Sequence, residues 1–356
     1  MAITPFEHPF LSGLLGDDEV ARQFSIEAEI AALVRFETAL AEGEAAEGVI
    51  PVAAGRAIAD ALVAFEPDLP RLAEETARDG VVVPELVRQL RQAVGQPHGA
   101  HVHFGATSQD AIDTGLVLRL LPALDILADR IDGLIEALAG LDDRQGKVPV
   151  MAHTRMQAAI PVAASRMIES WRDPLVRHRS RLVAIRDQVG VLHFGGAAGT
   201  LEKLGDKGAE VAEEVAVWLG LRALSRARHS ERDGFAELAS FLSLLSGSLG
   251  KMGQDIALMA QSEVGQIRLA SGGGSSAMPH KVNPVGAEVL VALARFNATL
   301  VSGMHQSLVH ENERSGAAWT LEWMLLPQMV VATGAALRTA AALLPSIEFV
   351  ADKGKR

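Results

Sequence analysis

The sequence predicts an all-α protein built on a bundle of long helices, and three observations lead there. Apolar residues recur at three- and four-residue spacing through several long stretches. The apolar share is 49% and is carried by Ala, Leu and Val, of which alanine and leucine are the stronger helix formers. Aromatic residues make up only 4%, with no tyrosine, which speaks against a β-rich protein or a base-stacking surface.

The elements follow in order. Residues 1–25 mix Phe6, Phe10, Leu11, Leu14 and Leu15 with Pro, Gly and Asp and are read as a docking arm. Ser25 suits the N-cap of a helix from 26 to about 48, with Ile30, Leu33, Val34, Glu37 and Leu40 near helical spacing. Val49-Ile50-Pro51 ends it, and shorter helices are expected near 52–65, 68–79 and 84–94. From 111 to about 145 one long helix is predicted, with Leu116, Leu120, Leu124, Leu127, Ile131, Leu134, Ile135 and Leu138 on its buried stripe. Pro122 would bend it. Residues 146–152 break the run, and a helix over 161–189 is interrupted at Pro174. A flexible turn at 195–199 precedes a short helix at 207–219.

Residues 226–231 form a charged linker, and Arg232-Asp233 opens a helix reaching 262. His229 and Arg232 suit either a substrate-facing position or a solvated turn. Apolar helices follow at 285 to about 307 and about 327 to 343. This divides the chain into an N-terminal helical domain over 1–95, a central bundle over 96–343 and a tail over 344–356. No internal repeat is evident.

Composition bounds the function. The chain has 356 residues and a formal charge of −11, which repels nucleic acid and anionic membranes in bulk. Cysteine is absent, so disulfides and thiolate chemistry are excluded and a reducing cytoplasm fits. No signal peptide is evident and no run of about 18 purely apolar residues appears, so no membrane span is expected. An anionic substrate would depend on a local cluster of cations, and His103, Arg155, His280, Lys281 and Arg314 lie in the most motif-like stretches.

The densest of these is Ser271-Gly272-Gly273-Gly274-Ser275-Ser276-Ala277-Met278-Pro279-His280-Lys281-Val282-Asn283-Pro284. Glycines give a backbone that flexes or takes positive φ. Hydroxyl, ammonium and amide donors then lead into a helix N-terminus, a receptacle for an anion. An ordinary surface loop would not require that order of residues. A nucleotide P-loop needs glycine directly before its lysine, where this chain has His280. His101-x-His103 lacks the further cluster a metal site would need. His310-Glu311-Asn312-Glu313-Arg314 ends in arginine, so the zinc-protease reading fails.

Residues 274–284 resemble the signature loop of the fumarase/aspartase superfamily. His103-Phe104-Gly105-Ala106-Thr107-Ser108-Gln109-Asp110 is similar to its His-Phe-Gly-x-Thr-Ser-x-Asp segment, and Phe36-Glu37-x-Ala39-Leu40-Ala41-Glu42 to a run in its cycloisomerases. Glu313-Arg314-Ser315, with Trp319 and Glu322-Trp323, resembles a further stretch. The resemblance implies a homotetramer whose active sites are shared between subunits, with no metal and no organic cofactor. Many relatives continue into a further C-terminal helical domain, which looks truncated or missing here.

It also implies roles. Ser275 transfers the proton, a choice over Ser276 that rests on the family pattern, and Lys281 and Asn283 stabilise the charged intermediate. His103, Thr107, Ser108, Thr154, Arg155, Gln157, Ser276, Met278 and Arg314 bind substrate. The Thr107-Ser108-x-Asp110 run is equally a helix cap.

One departure is informative. Where the lyases resemble Gly-Arg-Thr-His-x-Gln, this chain has His153-Thr154-Arg155-Met156-Gln157, with arginine at the histidine position. A leaving amine or hydroxide benefits from an acid, whereas a carboxylate, of pKa about 4, does not. Arginine instead offers a permanent fork for a carboxylate, although a surface arginine is the plainer reading. The departure favours the superfamily's cycloisomerase branch and a small tricarboxylate substrate, ahead of an adenylosuccinate- or argininosuccinate-type lyase or a non-catalytic helical scaffold.

Overall fold

The computed structural model describes residues 4–270, 272–274, 278 and 282–351. Ser275, Ser276, His280 and Lys281 therefore lie outside the described residues.

Short helices α1 (Ser12–Leu15) and α2 (Asp18–Ala21) lie in the N-terminal arm. Helix α3 (Ile26–Ala46) starts where the Ser25 hydroxyl accepts the Ala28 N–H at 3.2 Å. It is followed by α4 (Val52–Val63), α5 (Leu69–Asp79) and α6 (Val83–Val94). Asp68 caps α5, and Gly80 ends it in the left-handed conformation at φ 77°. The long helix α7 (Ser108–Gln145) continues through Pro122.

Strands β1 (Pro149–Thr154) and β2 (Gln157–Ala163) precede α8 (Ser165–Val189), α9 (Gly208–Leu219) and α10 (Asp233–Met259). The chain then forms β3 (Ile267–Leu269), α11 (Val285–Gln306), α12 (Gly316–Leu343) and β4 (Ile347–Phe349).

Side-chain contacts fix the direction of the long helices. The start of α10 meets the end of α11, where the Ser240 hydroxyl lies 3.1 Å from His305 Nε2. Farther along, Gly250 and Gly253 of α10 pack against Leu290 and Ala287 near the start of α11. The Arg179–Asp132 and Arg186–Asp125 pairs set α8 antiparallel to α7. Helices α7, α10 and α12 thus begin at one end of the bundle, and α8 and α11 return to it. At 38 residues, α7 spans about 57 Å, so the two ends are far apart.

Apolar burial falls into two clusters. One fills the bundle and includes Leu120, Leu127, Leu242, Leu249, Met329 and Leu337. The other joins α3, α4 and α6 to the first turns of α7 and to α9. The arm docks on the bundle: Val20 is buried there, and Arg130 pairs with the buried carboxylate of Asp17.

Several elements differ from the sequence reading. Residues 149–163 form an antiparallel hairpin, so the protein is mostly helical with small β elements. Pro161 is tolerated because a two-stranded sheet consists only of edges. Helix α12 begins at Gly316, capped by the Ser315 hydroxyl, and runs on through Pro327 with the loss of one backbone bond. Residues 344–349, expected as tail, turn back to pair β4 with β3 and bury Leu344, Ile347 and Phe349. By length and composition α11 and α12 are apolar enough to cross a bilayer, yet both pack on α10.

Leu127 is fully buried in the bundle while Val63 is 88% exposed. Leu127→Ala is expected to lose roughly 2–5 kcal/mol of stability, and Val63→Ala to stay within about 0.5 kcal/mol. Urea denaturation of both variants checks this, and equal losses would contradict the core assignment.

Candidate active site

At one end of the bundle the first turns of three helices interlock through buried charge. Thr107 caps α7 in a reciprocal box: its side chain accepts from the backbone N–H of Asp110, whose carboxylate accepts the Thr107 N–H at 2.9 Å. The cap reading of this run is therefore right, and Ser108 stands at the first helical position. Asp110 also accepts the N–H groups of Gly195 and Gly196, each at 2.9 Å, and lies 2.7 Å from His229 Nε2. One turn on, Asp113 takes Arg232 at 2.6 and 3.2 Å and the Trp319 indole N–H at 2.9 Å. The other side of Arg232 donates to Glu322 at 2.9 and 2.6 Å. Gln109 donates to Asp113 and to the His229 carbonyl, and accepts from Arg314 Nε at 2.9 Å.

Burial alone would raise the Asp113 pKa, but Arg232 above all draws it down to about 2. Burial lowers His193 to about 4, so its ring, stacked on Phe235, is neutral at ordinary pH. Burial opposes the charge of Arg232 too, and its two carboxylates outweigh that and raise its pKa. The network satisfies its own charges and leaves the N-terminus of α7, with the Thr107 and Ser108 hydroxyls, able to receive an anion.

His103 lies just upstream in the left-handed conformation at φ 61°. Its Nδ1 is 2.6 Å from Glu37 Oε1 of α3. Arg314 is engaged with Gln109 and with the Ala197 carbonyl at 3.2 Å, so it tethers the turn at 195–199 to α12.

The other candidates sit at the opposite end. The hairpin β1–β2 follows the C-terminus of α7, and its tip turns through Arg155 and Met156 at φ 48° and 66°. Two successive positive φ angles mark the tight hairpin turn usually made by Asn-Gly. Arg and Met held there store strain, which points to use. Thr154 and Gln157 pair across the turn, and the tip is exposed.

Gln266 ties this hairpin to the segment leading into the glycine loop through a 3.0 Å bond to the Met151 carbonyl. Gly273 and Asn283 exchange two backbone bonds at 2.9 Å that close the base of that loop, while Met278 is exposed. Here the glycines serve close approach: a Cβ on Gly272 would sit 2.4 Å from Val282 Cγ1. Neither Gly273 nor Gly274 takes positive φ.

The predicted residues thus fall into two groups. His103, Thr107, Ser108 and Arg314 gather at one end, and Thr154, Arg155, Gln157, Met278 and Asn283 at the other. Among the described residues other than Met278, no hydrogen bond or ion pair joins the two groups. His229 and Arg232, weighed as residues of a solvated turn, are both buried. Asp113 and Glu322 were missed as the partners of Arg232. Their signal was an acid followed by apolar residues one turn on, Leu116 and Val117 after Asp113 and Leu325 and Leu326 after Glu322.

Comparison with known proteins agrees with these motifs. Residues 17–296 match the model of a lyase family. A 3-carboxy-cis,cis-muconate cycloisomerase of Pseudomonas aeruginosa is 40% identical over 94% of this chain and 74% of its own length. One from Pseudomonas putida is 38% identical over 94% and 80%. The crystal structure of the 3-carboxy-cis,cis-muconate lactonizing enzyme from Pseudomonas putida superposes with a TM-score of 0.90 at 36% identity, covering 96% of this chain and 78% of that one.

Removing Arg232 leaves two buried carboxylates unpaired, so Arg232→Met is expected to lose roughly 3–5 kcal/mol. The depressed pKa of Asp113 contributes stability above its unfolded value, near 3.9, and loses it as pH falls toward about 2. The destabilisation of Asp113→Asn should therefore narrow as pH drops from about 5 to 3, read by urea unfolding. A constant gap would contradict the assigned ionisation.

Proposed function

The chain belongs to the lyase family, and on that footing we propose that it closes 3-carboxy-cis,cis-muconate to a carboxymuconolactone in the protocatechuate branch of aromatic degradation. Likeness to cycloisomerases along most of the chain supports the reading, and Arg155 in the strained hairpin turn carries it. A carboxylate oxygen adds to the conjugated double bond, the negative charge passes to a neighbouring carboxylate as an aci-carboxylate, and the adjacent carbon takes a proton. In the reverse direction the group expelled is a carboxylate, which needs no acid, and a permanent cation at position 155 suits it.

In this reading Ser275 delivers the proton. A serine hydroxyl is a poor acid unless N–H donors hold its alkoxide, and loop closure would exclude water. Lys281 and Asn283 stabilise the doubly charged intermediate. His103, Thr107, Ser108, Thr154, Arg155 and Gln157 hold the substrate's carboxylates, and Arg314 orders the turn beside Ser108. Residues about 50 Å apart along α7 cannot meet on one substrate within a single chain. We therefore read the enzyme as a homotetramer in which subunits packed in opposite directions bring one chain's Thr107 and Ser108 to another chain's loop. Exposed Val176 and Val183, seven residues apart on α8, with Leu244 of α10, offer apolar surface for that packing.

Loss of the substrate's diene absorbance on adding purified enzyme in the presence of a chelator is the expected result. No change would overturn the assignment. Ser275→Ala should keep the fold and bind substrate but lose about 10²–10⁴-fold in turnover. Mixing and reassembling inactive Ser275→Ala and Ser108→Ala chains should restore part of the activity that neither has alone. Absence of recovery would mean that each site is built within one chain.

A further inference from the structure

Beneath the N-terminus of α7 lies a buried polar group that the mechanism above leaves unused. Glu37, in the middle of α3, is 2% exposed, and its Oε1 is 2.6 Å from His103 Nδ1. Its other oxygen has no partner. Glu44, two turns along the same helix, is fully buried with both oxygens unpartnered. Burial, and after it the charge of Glu37, pushes Glu44 up to about 9, so it is neutral at ordinary pH. The charge that acts on the imidazole comes from Glu37.

His103 itself is held in the left-handed region at φ 61°, which costs an L-residue about 1–2 kcal/mol. Two contacts hold it there: the Glu37 bond, and the 3.1 Å bond from Arg91 Nη2 to the neighbouring Val102 carbonyl. Its Nε2 has no hydrogen-bond partner among the described residues. A ring strained in its backbone, fixed by one nitrogen and unused at the other, is arranged to present the second nitrogen.

We propose that Glu37 is a positioning residue for the reaction, fixing His103 by its Nδ1–H so that Nε2–H of the imidazolium donates to a substrate carboxylate. This rests on the reading of His103 as a carboxylate-binding group. The charged groups around the ring are Glu37 of α3, Asp110 of α7 and Arg91 of α6. Burial disfavours the imidazolium and Arg91 adds to that, but Glu37, helped by Asp110, outweighs both and raises the His103 pKa. A His whose pKa is raised stays cationic below that value and loses its charge as pH rises through it. Substrate binding through Nε2–H should follow the same course, strong in acid and failing on the alkaline side.

Glu37→Gln keeps the shape and removes the charge. The His103 titration, followed by NMR of histidine-labelled protein and assigned with His103→Gln, should move down by about one pH unit or more. At mildly alkaline pH, KM should rise about tenfold for each unit moved, with kcat within about twofold of wild type, and acidification should restore it. Glu37→Asp should recover part of the shift, and Glu44→Gln, replacing a group already neutral, should leave the profile in place. An unmoved His103 titration in Glu37→Gln, or kcat and KM altered alike at every pH, would overturn the proposal. If Glu37→Gln does not fold, the wild-type tautomer decides: Nδ1 must keep its proton when His103 becomes neutral, and a proton found on Nε2 overturns the proposal. If wild type shows no turnover of the muconate, the functional reading fails by itself, while the NMR titration still tests the coupling between Glu37 and His103.

Discussion

The buried guanidinium of Arg232 is the constraint on which one end of the helix bundle depends. It is 2% exposed and lies between the carboxylates of Asp113 and Glu322, which reach it from α7 and α12. Arg232 itself sits at the N-cap of α10. An uncompensated charge at such depth costs several kcal/mol, so the three helix ends must arrive together. The planar fork suits the task because it meets each carboxylate through two bonds. Lysine, a single point charge, would not fix the angle between the helices.

What this clamp brings together matters as much as how firmly it holds. Helices α7, α10 and α12 all present N-terminal ends here, each carrying a partial positive charge. Asp110, Asp113 and Glu322 answer those ends and Arg232 from inside, through bonds that occupy their oxygens. The capping box uses the Thr107 side chain and the Asp110 carboxylate for the first turn of α7, so that the helix end is formed before any ligand arrives. A protein of net charge −11 can thereby keep a local surface that attracts a carboxylate, because charges within a Debye length decide the local field.

Much of this was legible in the sequence, and what was missed has physical reasons. The stripe from Leu116 to Leu138 announced α7, and Thr107-Ser108-x-Asp110 announced its cap, because both signals lie within a few residues of chain. The hairpin at 149–163 was not legible: its strands are mostly exposed on both faces, so no alternation marks them, and Pro161 argues against a strand. Pro327 suggested a helix start but lies eleven residues into α12. The burial of Arg232 could not be read locally, since its partners are 119 and 90 residues away. Spacing within an element is written in the sequence; pairing between distant elements is not.

The division of the candidate residues between two bundle ends follows from the same helices. The glycine-rich segment follows β3, where Gly272 and Gly273 admit close neighbours, and its base is tied by the Gly273–Asn283 bridge and by the Asn283 side-chain amide donating to the Gly274 carbonyl at 3.4 Å. The Thr107 and Ser108 hydroxyls stand where Arg232 locks three helices. The two groups stand apart by the length of α7, and on the proposed reading antiparallel packing of subunits is the arrangement that would reunite them on one substrate.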